Sequence, residues 1–188
     1  ALDLIGQARL LYQLAATRLN AEGRTSRPSA WPAGPITEDT LAYFRADRDF
    51  RNYTLQELPH HTGLVPASGG ERDWAITIVR NFFYATLMEG VWEQLAQSPD
   101  GDLAAIAAKA EKEMAYHVRH CGEWIIRLGD GTDESRARVS EALEELWPFT
   151  GEMFEADAGD RALIAAGVAV DPASIRAEWE RTLDHVLG

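Results

Sequence analysis

Glu113, His117 and His120 are the residues of this chain whose types and spacing point most directly to chemistry. Glu113 and His117 stand four apart, one helical turn on a single face, and His120 follows on a neighbouring line. Inward-facing carboxylates and imidazoles are how packed helices build a di-iron carboxylate centre. Such a centre takes Glu-x-x-His from each of two helices and one Glu from each of two others. The long helical stretches of this sequence do not carry that motif. From Glu113 the third residue on is Tyr116, and His117 comes one place late. In the first stretch the one carboxylate is Asp3, and the third residue on is Gly6. Glu89 and Glu93 lie on another stretch and are expected to face solvent. Two readings stay open. In one, the chain is an autonomous metal-binding protein or oxidase with an atypical Asp/Glu/His set. In the other, Glu113 and His117 are paired inside the bundle, because buried polar groups have partners. Lys109 or Lys112 then supplies the positive charge that a metal would, and Lys109, Lys112 and His120 are the candidate buried polar partners.

Other groups point less far. His60-His61 reads as a solvated loop pair, and Cys121 as an inert packing residue on an apolar stripe. No Gly-rich phosphate loop is present, since Gly129-Asp130-Gly131 reads as a turn between helices. Trp74, Phe82, Phe83, Trp92, Trp124 and Trp147 are expected mostly in the core, with some at contacts between protein chains, including self-association. Glu141, Glu144 and Glu145 read as a solvated face.

The elements that must position these residues are helices. The stretch 102–128 is the cleanest: Leu103, Ile106, Ala110, Met114, His117, Cys121, Trp124 and Leu128 recur every three or four residues. Residues 2–21 repeat Leu4, Ala8, Leu11, Ala15 and Leu19 at helical spacing, and Gly23 follows as a stop. The stretch 72–97 carries Ile78, Val79, Phe82, Phe83, Leu87, Val91 and Leu95. Further helices are expected at 133–147, 159–166 and 172–187, the last started by Asp171-Pro172. Short helical pieces follow Thr37 and surround 50–59, while 24–37 and 60–70 read as loops. No convincing strand appears. The expected architecture is all-α, one helical domain over 1–188 with long antiparallel helices and short turns.

Composition sets outer bounds. The 188 residues hold 18 Lys+Arg against 30 Asp+Glu, a formal net charge of −12. So acidic a chain repels phosphate backbones and excludes non-specific nucleic-acid binding. No apolar run is long enough to span a membrane, so no membrane partner is expected. A single cysteine cannot form an internal disulfide, which fits a reducing cytoplasm.

Several segments together resemble a known family. Ala1-Leu-Asp-Leu-Ile-Gly-Gln-Ala-Arg-Leu-Leu-Tyr12 resembles the second core helix of the structural C-type subunits of the phenylacetyl-CoA epoxidase complex. Asp49-Phe-Arg-Asn-Tyr53, running on to Glu57-Leu-Pro59, is similar too, and Asp73-Trp-Ala-Ile-Thr-Ile-Val-Arg80 with Phe82-Phe83 fits the third core helix. The longest match runs from Ala104-Ala-Ile-Ala-Ala-Lys-Ala110 through Glu113, Tyr116-His117, Arg119-His120 and Trp124 to Arg127-Leu-Gly-Asp-Gly-Thr132. It continues in Glu144-Glu-Leu-Trp-Pro148 and Thr150-Gly-Glu-Met-Phe154.

The resemblance implies a ferritin-like fold that lacks its first core helix here, and a loop at 60–70 longer than the family's. It implies a partner, the homologous catalytic subunit that holds the di-iron centre. With dioxygen and a reductase, that complex epoxidises the ring of phenylacetyl-CoA in aerobic phenylacetate breakdown. This chain would be the paralogue that lost its metal and serves as scaffold, with no cofactor and no catalytic residue of its own. Asp3/Gly6 and Glu113/Tyr116, with His117, would be the vestigial positions of two Glu-x-x-His pairs.

Overall fold

A computed structural model describes residues 2–23, 28, 31–61 and 73–188. Most of the 60–70 loop expectation, and part of the 24–37 one, lies outside them. Among the described residues every regular element is helical and there is no strand. The all-α expectation holds, and the arrangement fits the ferritin-like bundle that the resemblance implies.

Local signals in the sequence start and stop the helices. α1 (Leu2–Ala21) ends at Gly23, whose φ of +61° no β-carbon hinders. α2 (Glu38–Tyr43) opens on a capping box in which the Thr37 and Thr40 side chains each take a backbone N–H of the other. α3 is a single turn, Thr54–Glu57, shorter than the piece expected at 50–59, because Pro59 follows. Asp73 caps α4 (Trp74–Leu95), and Asp100 caps α5 (Gly101–Gly129) with its carboxylate on two backbone N–H groups. α6 (Asp133–Leu146) starts on a Thr132/Ser135 capping box, and α7 (Ala158–Ala165) on Asp157. The expected helix at 172–187 divides into a 3₁₀ turn, Pro172–Ile175, and α8 (Arg176–Leu187).

α4 is the central element. Its buried residues include Ile76, Ile78, Val79, Phe82, Phe83, Ala85, Leu87 and Trp92, which wrap most of the helix and leave the side of Thr77, Asn81 and Tyr84 partly open. A helix so broadly apolar must be covered on most sides. The five-residue turn 96–100 returns the chain as α5, which runs antiparallel along α4. α5 meets it with Ala107, Ala110, Met114, Cys121, Gly122 and Ile125. α6 and α8 close the other sides.

The aromatic set divides between core and surface, and Trp124 packs on the edge of the core. Phe82, Phe83 and Trp92 are buried, but Trp74 and Trp147 are half-exposed and Trp124 is only partly covered. The buried aromatic centre is Trp179 on α8. Its indole N–H donates to the Phe83 carbonyl at 2.9 Å, and its ring lies 5.2–5.8 Å from Phe154, Phe83 and Trp147. Glu89 departs from its solvent-facing expectation. It is half-buried, and that burial, with Glu111, Glu93 and Glu178 nearby, holds its carboxyl above the usual 4.5.

Two outcomes are expected. At Gly90 a β-carbon would stand 2.6 Å from Cγ2 of Ile175. Gly90→Ala should therefore cost about 1–3 kcal/mol by overpacking, and Ile175→Ala in the same chain should recover part of it in a double-mutant denaturation cycle. The raised Glu89 carboxyl makes the fold bind its proton more tightly than the unfolded chain does. Its contribution is full below the ordinary value of 4.5 and is lost as pH rises through the folded value. Glu89→Gln should raise the melting temperature at pH 7 and leave it nearly unchanged at pH 4, read by thermal denaturation at both pH values.

Candidate functional site

α1 lies antiparallel on α5, and its polar residues pair in one register. His117 Nε2 donates to Asp3 Oδ2 at 3.1 Å, and Gln7 Nε2 donates to Glu113 Oε2 at 2.9 Å. At the far end Arg18 Nη2 reaches Asp100 Oδ1 at 3.0 Å and Asp102 Oδ2 at 3.1 Å. Each step of about one turn up α1 is matched by one turn down α5. Helical spacing alone dictates this, since residues four apart share a face.

The centre of the seam is Glu113. Gln7 takes Oε2, and Lys109 Nζ, one turn back on α5, stands 3.6 Å from Oε1. Gln7 is buried at 6% exposure, whereas the Glu113 and His117 side chains keep 24%. Gly6 leaves open space where a side chain would stand. Tyr116 meets the His117 ring edge-on at 5.7 Å. It is half-exposed, its ring stacks on His120 at 5.9 Å and 14°, and Arg119 lies over it at 5.7 Å.

The sequence expectations divide accordingly. Asp3, Glu113 and His117 are brought together at the α1–α5 seam, while Gly6 and Tyr116 place no ligand atom there. Lys109 and Lys112 are exposed, not buried; Lys109 still reaches Glu113 along the helix surface because four residues separate them. His120 is partly buried beside the Tyr116 ring. Gln7 is the seam residue that sequence reasoning misses. An amide among helical neighbours gives no signal by type, although its place one turn beyond Asp3 could have found it.

The sequence reading, which finds no Glu-x-x-His, is corrected at one place: Glu57-Leu-Pro-His60 has that spacing, outside the long helices. Glu57 ends α3 and Pro59 breaks the turn, so the two side chains part. Glu57 accepts from Asn52 at 3.0 Å. The His60 ring meets Thr77 Oγ1 at 2.8 Å and accepts from the buried Arg80 guanidinium, whose Nη1 also donates to Leu58 O at 2.7 Å. His60 is therefore a structural acceptor and not a merely solvated loop residue.

Beside the seam, α1, α4 and α5 enclose an open cavity of about 390 Å³ lined by Leu4, Trp74, Ile78, Met114, Cys121 and His117 among others. Cys121 is 3% exposed, and burial pushes its thiol up to about 11. That leaves almost no thiolate at neutral pH, so it is a packing group and not a nucleophile.

The donor set does not fit a di-iron centre. Glu113 Oε2 accepts from Gln7 and Oε1 lies 3.6 Å from the Lys109 ammonium, while the third residues on from Asp3 and Glu113 are Gly6 and Tyr116, neither of them the imidazole that such a centre takes. His117 Nε2 and Asp3 Oδ2 are paired with each other at 3.1 Å. Among the described residues no cluster of three or more His, Cys, Asp or Glu is placed to hold a metal ion.

The seam yields two measurable outcomes. Glu113→Ala strands the Gln7 amide, but Glu113 is only partly buried. The cost should be about 1–2 kcal/mol, below the ~3–5 kcal/mol of a fully buried pair. A Gln7→Ala/Glu113→Ala cycle in urea should give a coupling of about 0.5–1.5 kcal/mol. Cys121 should react with a thiol reagent at pH 8 at least about tenfold more slowly in the folded chain than in denaturant.

Known proteins are similar to this chain along nearly all of its length. The family model described as phenylacetic acid catabolic protein matches residues 1–188. The chain is 41% identical over 179 residues to the C component of the 1,2-phenylacetyl-CoA epoxidase of Escherichia coli (strain K12). That alignment covers 95% of this chain and 62% of the relative, so the chain spans less than two thirds of the length of the curated protein it matches. On both matches, the chain belongs to the phenylacetic acid catabolic protein family.

Proposed function

We propose that this chain is one ferritin-like unit of a non-catalytic structural subunit in a multicomponent phenylacetyl-CoA epoxidase. Its partner is the catalytic subunit that carries the di-iron centre, and the complex serves aerobic phenylacetate degradation in the cytoplasm. The observation that carries this reading is the state of Glu113. Its oxygens are engaged by Gln7 and Lys109 at the position where a catalytic relative would present a metal ligand. Asp3, Gly6, Glu113, Tyr116 and His117 are then the remains of two ligand pairs, converted to helix–helix contacts. The relative is named as one subunit of an epoxidase, which supports an obligate partner. Among the described residues no helix is long and apolar enough to cross a membrane.

This reading assigns the chain no chemical step. The di-iron centre, in the partner, supplies the oxidation of the aromatic ring. This chain supplies a rigid surface, and its seam residues hold α1 on α5 with protein side chains in place of a metal ion. An obligate pair should bury more than roughly 2,000 Å² of largely apolar surface.

The test is co-expression of the whole protein with the di-iron subunit, followed by size exclusion and elemental analysis of each separated chain. Co-elution, with iron confined to the partner, is expected. Two irons per copy of this chain, or independent elution at micromolar concentration, would overturn the proposal and return the autonomous metalloprotein reading.

A further inference from the structure

We draw no further inference here: the strongest candidate, the apolar cavity between α1, α4 and α5 walled by Leu4, Trp74, Ile78 and Met114, is an uncovered apolar face, and nothing in the structure shows what covers it.

Discussion

A carboxylate held between packed helices must be compensated where it stands, because desolvation penalises its charge and leaves its lone pairs unmet. A metalloprotein meets that demand with a cation. Here protein donors meet it from both sides of Glu113: an amide from the facing helix and an ammonium from its own. The same choice sets the position of α1. With Gln7 aimed at Glu113, Asp3 falls opposite His117 and Arg18 opposite Asp100 and Asp102, so one contact fixes the register of the whole seam.

The two sides of α5 are therefore held by different physics. Toward α4 the contact is apolar and close, carried by small residues that let the helices approach and by the Phe82 ring set against Gly122. Burial of this kind is non-directional and tolerates small shifts. Toward α1 directional polar pairs are added to an apolar contact in which Leu11 packs on Trp92, Ala107, Ala110 and Met114. Only Gln7 and Ala16 of α1 are buried, and Leu2, Leu4 and Ile5 stay exposed. The apolar pair α4–α5 makes the platform, and the polar pairs together with Leu11 hold α1 upon it.

Much of this is legible in the residues. The long helices follow from apolar spacing, and their ends from Asp73, Asp100, Thr132 and Asp157, whose short side chains can cap free N–H groups. What escapes depends on the third dimension. Trp179 sits on a helix with five charged residues among its twelve, and only its placement against Phe83 makes it the centre of an aromatic group. Glu89 looks like any surface glutamate until α5 and α8 bring Glu111 and Glu178 beside it. Lys109 and Lys112 are expected inside because a charge is needed there. The long lysine side chain delivers its charge from outside instead.

Gln7 shows most clearly where reading by residue type stops. A glutamate at that position would add a second carboxylate one turn from Asp3, facing Glu113, and two like charges at that distance would call for a cation. Glutamine has the same length and nearly the same shape, but one terminal oxygen is replaced by an NH₂ group. That replacement turns an acceptor into a donor, removes the repulsion, and supplies the partner that Glu113 lacks. The difference between a ligand shell and a helix–helix lock can thus rest on one amide. Its meaning is visible only once the residue it faces, 106 positions away, is known.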